Sequence, residues 1–159
     1  MGRGERPAPT GFDRALLDRR LTELGRRSID AVARGLHWGY VTSVRNGTLG
    51  HPGAKMLPAL AAFAEMEPRE LFTVTDAELT VCHLRHFRGL SMQETAAARE
   101  WSYVAYKAFE LGEPLPKRMS TSAAWSRTAK VFEVPEQRMR QAWEASHRAA
   151  AGAGVGVAG

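Results

Sequence analysis

The chain is poor in the residues that carry covalent or metal chemistry. Among its 159 residues there is one cysteine, Cys82, so no disulfide can close within the chain, which suits a reducing compartment. No Cys-x-x-Cys pair occurs, and Cys82, His83 and His86 have no fourth ligand at matching spacing. A buried thiol beside surface histidines is the expected arrangement there. Long apolar runs are also missing: none approaches the roughly 20 residues of a membrane span. The opening Met-Gly-Arg-Gly-Glu-Arg-Pro has no apolar stretch behind it and does not read as a secretory signal. There is no Ser/His/Asp arrangement and no phosphate-binding loop, and carboxylate pairs such as Glu65 and Glu67 stand in turns, where solvation is their expected state. The alternating Gly152, Gly154 and Gly156 lack the strand and helix that dinucleotide binding needs. These absences argue against an enzyme and against a cofactor.

What is present is ordinary in bulk and basic in balance. Hydrophobic residues make up 44% and charged residues 25%, the values of a globular protein. The length allows one ordinary domain or two small ones. There are 22 Lys/Arg against 17 Asp/Glu, a formal charge of +5 and a pI near 9.9. That excess is spread over both halves and favours an anionic partner such as nucleic acid without identifying it.

Residues 1–11 are rich in Gly, Pro and Arg and are expected to be disordered. From Asp13 to about Gly25, Leu17, Leu21 and Leu24 repeat at helical spacing, with Thr10 or Asp13 as cap. Ser28–Arg34 predicts a second short helix, Ser28 capping and Asp30 in the first turn, where the helix dipole favours an anion. Gly35 breaks the chain, and Leu36 and His37 fill a tight turn before a helix over Trp38–Arg45. That helix pairs Val41 with Val44 on a thin apolar stripe and ends at Asn46-Gly47. A helix with this stripe and a polar, partly basic outer face suits a DNA major groove. The order helix, three-residue turn, helix is the helix-turn-helix arrangement. Gly and Pro make 48–53 a loop; Ala54–Ala64 is amphipathic, with Pro58 near its start; Pro68 opens a fifth short helix.

Tyr-Val-Thr-Ser-Val-Arg-Asn-Gly (40–47), His51-Pro52, Met56 to Phe63 and Glu-Pro-Arg-Glu-Leu-Phe (67–72) carry a resemblance. Residues 12–72 resemble the lambda-repressor-like (XRE) helix-turn-helix family, and within it are similar to EspR-type regulators. The resemblance implies a five-helix domain whose third helix enters the major groove. It implies that Trp38, Gly39, Tyr40, Thr42 and Ser43 face bases, and that Arg45, Asn46, Thr48 and Lys55 face the phosphate backbone. Arg34 stands where the family usually has Leu, which leaves the register of the second helix open by one or two residues. Trp38 either closes the core or stacks on DNA, with the core expected; the other three tryptophans are expected in the core. His37 and His51 flank the helix, either at a plain surface or near phosphate.

After a linker over Thr73–Asp76 the pattern starts again. Glu78–Phe87 has an apolar face, Ser91 and Glu94 form a capping box, and Ser102 caps a helix over Tyr103–Leu111 that Gly112 stops. Amphipathic helices follow over Ser122–Val134 and after Pro135. Leu90-Ser91, Gln93-Glu94, Ala96, Ser102, Phe109-Glu110 and Gly112 match the family pattern. Thr95, Arg99 and Glu100 depart from it, where Leu, Leu and Gly are usual. The second unit thus resembles another helix-turn-helix, with Tyr103, Tyr106 and Lys107 on its own candidate recognition helix. Those residues serve either DNA contact or a dimerisation or packing role.

The expected fold is all-α, with two tandem five-helix lambda-repressor-like helix-turn-helix units. The layout is a disordered arm over 1–11, a DNA-binding unit over 12–75, a divergent second unit over 76–148 and a flexible tail over 149–159. The function implied is a sequence-specific DNA-binding transcription regulator, bound to double-stranded DNA as a homodimer, with no membrane role, in the nucleoid-associated cytoplasm. The alternative is a protein-interaction adaptor, antitoxin-like or sigma-factor-binding, that uses the same fold without DNA.

Overall fold

The structure is a computed structural model that describes residues 7–155, and these residues are all-helical, without a strand. Among them no helix is long and apolar enough to cross a membrane. They divide into two compact units, one of Pro9–Val74 with His86–Gly89, the other of residues 7–8, Thr75–Arg85 and 90–155. Past Pro9 the first break along the chain falls between Val74 and Thr75, and His86–Gly89 sorts with the first unit. Phe87 is the reason: its ring lies edge-on to Phe72 at 5.4 Å.

In the first unit, α1 (Arg14–Glu23) starts at Asp13, whose carboxylate accepts from the Leu16 amide at 2.9 Å. Leu17 and Leu21 are its buried face. Ser28–Arg34 is a 3-10 helix and not an α-helix. Ser28 is not its cap: Arg27 takes that place, and its amide donates to the Asp30 carboxylate at 2.7 Å. Gly35 closes the segment at φ +76, a left-handed conformation that suits glycine. The Gly35 and Leu36 amides turn back onto the carbonyls of Val32 (3.0 Å) and Ala31 (3.1 Å), the pattern of a Schellman-type stop. Leu36 then enters the core.

Helix α2 (Trp38–Arg45) buries Val41 and Val44. After the 48–53 loop, α3 (Leu57–Phe63) carries Pro58 at its start, and a 3-10 helix spans Pro68–Leu71. One core joins Leu17, Leu21, Leu36, Val41, Val44, Leu60 and Phe63. Each such aliphatic or aromatic side chain contributes about 1.5–3 kcal/mol by leaving water. Part of the expected arm belongs to this unit. Gly11 accepts from the Thr73 amide at 2.8 Å, and Phe12 bridges Phe72. Residues 1–6 of that arm lie outside the described residues.

In the second unit a 3-10 turn (Asp76–Glu78) precedes α4 (Val81–Phe87). The helix therefore begins later than Glu78, because the Thr80 amide donates to the His83 ring at 3.1 Å and sets the start there. His83 and His86 are buried with Cys82, so the expectation of surface histidines was wrong. Helix α5 (Met92–Ala98) has the capping box expected of it. Ser91 accepts from the Glu94 amide at 3.1 Å, and Glu94 accepts from the Ser91 amide at 2.7 Å. Helix α6 (Tyr103–Glu110) is capped by Ser102. After a 3-10 turn (Lys117–Met119), α7 (Ser122–Phe132) and α8 (Glu136–Val155) complete the unit. The tail expected to be flexible from 149 is helical through Val155. Ala149, Ala150, Ala151 and Ala153 are strong helix formers that carry α8 onward. Residues 156–159 lie outside the described residues.

The three departures from the family pattern each have a structural answer. Thr95 is buried, and its hydroxyl donates to the Ser91 carbonyl at 2.9 Å. Arg99 is buried too. It donates to the Thr128 hydroxyl (2.7 Å) and the Ala124 carbonyl (3.3 Å), and its guanidinium lies 4.5 Å from the Trp101 ring centroid. Burial lowers the affinity of the Arg99 guanidinium for its proton. Glu100 adopts φ +56, the left-handed conformation that Gly35 has in the first unit.

Candidate nucleic-acid interface

The local geometry around α2 recurs around α6 at one constant offset. Glu100 and Trp101 turn their amides back onto Ala97 and Ala96, as Gly35 and Leu36 do onto Val32 and Ala31. Gly47 and Gly112 end the two helices at φ +81 and +73, with amides on the Val44 and Phe109 carbonyls. Arg45 and Glu110 occupy the same place, and each forms an ion pair within its own unit.

In the first unit the pair is Arg45 with Asp18 on α1, Nε to Oδ1 at 2.6 Å. The same guanidinium donates to the Arg26 carbonyl at 3.1 Å and reaches the Thr22 hydroxyl at 3.4 Å. Arg45 was expected to face the phosphate backbone; its donors are instead turned onto α1 and the turn behind it. Arg14 completes the clamp by donating to the Arg45 carbonyl at 3.0 Å. A cation there also complements the negative end of the helix dipole.

The N-terminal end of α2 is open. Trp38 is 51% exposed, contrary to the expected core placement. Val41 and Val44 already fill the inward stripe, and the Trp38 ring lies over His37 at the start of the helix instead of following them inward. Its indole stacks on the His37 ring, centroids 5.9 Å apart and planes 20° apart. His37 caps the helix, its Nδ1 accepting from the Gly39 amide at 3.1 Å. Thr42 and Ser43 are half-buried, and the Thr42 hydroxyl donates to the Trp38 carbonyl at 2.9 Å. Asn46, Thr48 and Lys55 are exposed, and the Asn46 side-chain oxygen accepts from the Thr48 amide at 2.9 Å. Tyr40 departs from the expected role. Half-buried against the core, it uses its hydroxyl to accept from the Gly53 amide at 3.0 Å, which ties the 48–53 loop to α2. Burial pushes its phenol pKa up, partly offset by that amide.

The second unit presents a different set of side chains. Tyr103 is 41% exposed and Lys107 is half-buried, but Tyr106 is fully buried and cannot touch DNA. Its hydroxyl donates to Glu110 at 2.9 Å, and Glu110 is also gripped by Arg85, Nη2 to Oε2 at 3.0 Å. Burial opposes the Arg85 charge, yet the hydrogen bonds and charge of Glu110 hold its pKa above the ordinary value. Burial and the Glu110 charge push the Tyr106 phenol well above its ordinary range. Val104, 77% exposed, was not singled out in the sequence, where one valine in a helix carries no distinguishing signal.

The other tryptophans follow expectation more closely. Trp125 is buried, and Trp101 and Trp143 are half-buried in a chain of rings running Trp101, Phe109, Trp125, Trp143.

Comparison with protein-family models, with curated proteins and with solved structures finds no match to this chain.

Proposed function

We propose that this chain is a sequence-specific DNA-binding transcription regulator of the lambda-repressor-like helix-turn-helix kind, with α2 as its recognition helix. The observation that carries the reading is the open N-terminal end of α2. Trp38, Thr42 and Ser43 are left uncovered to some degree on a helix whose other end Arg45 and Arg14 lock to α1. A fixed helix with an uncovered leading edge is what groove reading needs, since the first residues of a recognition helix meet base edges. Net charge of +5 supplies long-range attraction to phosphate. One short helix contacts too few bases to be selective, so a homodimer on two half-sites is part of the proposal. In the second unit Tyr103, Val104 and Lys107 are left for DNA or for the partner copy.

The test is fluorescence anisotropy of the purified protein on labelled double-stranded DNA across a salt series. Binding should weaken at least about tenfold between roughly 50 and 200 mM salt. Thr42→Ala and Ser43→Ala should change the preferred sequence. Arg45→Ala acts first on stability, because its guanidinium braces α1. Indifference to every duplex at low salt would remove the reading.

One observation favours the adaptor alternative. Ile29 and Val32, three apart on the 3-10 helix, are 51% and 53% exposed, and exposed apolar residues suit a protein partner. That reading predicts binding that hardly changes over the same salt series.

A further inference from the structure

We infer that α2 reads thymine through its C5-methyl group, with Trp38 and Thr42 as the contacting side chains, and that it carries no guanine reader. The inference rests on the DNA reading proposed above and deepens it.

The commonest specific contact in the major groove is Arg or Lys to the O6 and N7 of guanine, and adenine is read by the amide fork of Asn or Gln. Helix α2, Trp-Gly-Tyr-Val-Thr-Ser-Val-Arg, contains one cation and no amide side chain. The cation, Arg45, is turned away onto Asp18 and the Arg26 carbonyl. Asn46 lies just past the helix, and its side-chain oxygen accepts from the Thr48 amide, so half of its fork is occupied.

The most exposed side chain of α2 is apolar. The Trp38 indole stands half in solvent, backed by the His37 ring. A Cβ at Gly39 would sit 3.1 Å from the His37 ring and press on that stack. Gly39 also leaves the helix surface beside Trp38 without a side chain, so a base edge can approach closely. The Thr42 hydroxyl proton is committed to the Trp38 carbonyl, so Thr42 has its methyl group and an acceptor oxygen to offer. Ser43 keeps its hydroxyl uncommitted among the described residues, and serine pairs with any base. The one apolar mark in the major groove is the thymine methyl, and it is what an indole and a threonine methyl match.

The test uses the full chain and a duplex recovered from a random-sequence pool by binding. Affinity is compared between that duplex and a copy in which every thymine is replaced by deoxyuracil, which removes the methyl groups and nothing else. Loss of about fourfold per contacted methyl is expected. Trp38→Ala, checked for folding by circular dichroism, should weaken binding to the thymine duplex and shrink the thymine–uracil difference. If that variant fails to fold, the comparison on the native protein decides alone. Equal binding of both duplexes, with salt dependence intact, overturns the thymine reading and leaves DNA binding standing. A larger loss on replacing guanine with 7-deazaguanine than on removing the thymine methyls also overturns it. Failure to bind any duplex at low ionic strength overturns the DNA reading and this inference with it.

Discussion

The two units use one local design, a helical segment, a left-handed stop and a capped helix, and then finish it in opposite ways. Around α2 the closing ion pair is half in solvent, Arg45 and Asp18 having side-chain exposures of 20% and 49%. Around α6 the charges are reversed and the pair is sealed, with Arg85 and Glu110 at 6% and 0%. The glycines that end the helices repeat the contrast. A Cβ on Gly47 would meet the Arg14 guanidinium at 3.2 Å, the far end of a flexible side chain. A Cβ on Gly112 would fall 2.3 Å from the His147 amide nitrogen, because α8 lies across that end of α6, and the His147 ring donates to the Gly112 carbonyl at 2.7 Å. The lesson is that both helices are open at their leading ends, Trp38 on one and Tyr103 and Val104 on the other, and differ in how they are held behind, by an exposed brace or by a buried one. Local sequence likeness therefore does not carry the way a helix is anchored from one unit to the other.

Three tests by substitution can break or sharpen this contrast. The largest effect is expected from Glu110→Ala, which strands the Arg85 charge and the Tyr106 hydroxyl in the interior. The second unit should lose about 3–5 kcal/mol, read as a shifted urea midpoint by tryptophan fluorescence. The exposed counterpart Asp18→Ala should cost about 1 kcal/mol or less. Equal losses would mean that the two pairs do not differ as described. Next comes Gly112→Ala, where the left-handed backbone and the collision with α8 add to about 2–5 kcal/mol. At Gly47→Ala the backbone term stands almost alone, at about 1 kcal/mol. Melting temperatures of the two variants measured side by side check the order. The smallest effect should come from Glu100→Gly, which relieves a left-handed glutamate at φ +56. The Arg127 ion pair it removes is largely exposed, at 59% and 81%, so a net gain of up to about 1 kcal/mol is expected. A net loss would show that the Glu100 side chain matters more than its backbone.

Much of the local architecture was legible in the sequence because its causes are local. The extent of α2, the glycine stops at 35, 47 and 112, and the caps at Ser91 and Ser102 follow from backbone sterics and from side chains that reach amides two or three residues away. The all-helical class follows from the spacing of apolar residues over most of the chain. Less of the candidate interface could be read. Trp38, Asn46, Thr48, Lys55 and Tyr103 are exposed as a DNA contact requires, whereas Tyr106 is buried and Arg45 and Tyr40 are bound into their own unit.

The chain thus determined its own helices, stops and caps, together with its excess of positive charge. Folding alone decided which polar side chains would face water. Arg45 and Glu110 stand at equivalent places on equivalent helices, and no local pattern says that Asp18 will claim the first or that Arg85 will bury the second. Such partners come from other elements of the same unit, and their distance is fixed by packing, not by spacing along the chain. A charged side chain becomes a reader or a brace according to which of these neighbours reaches it first.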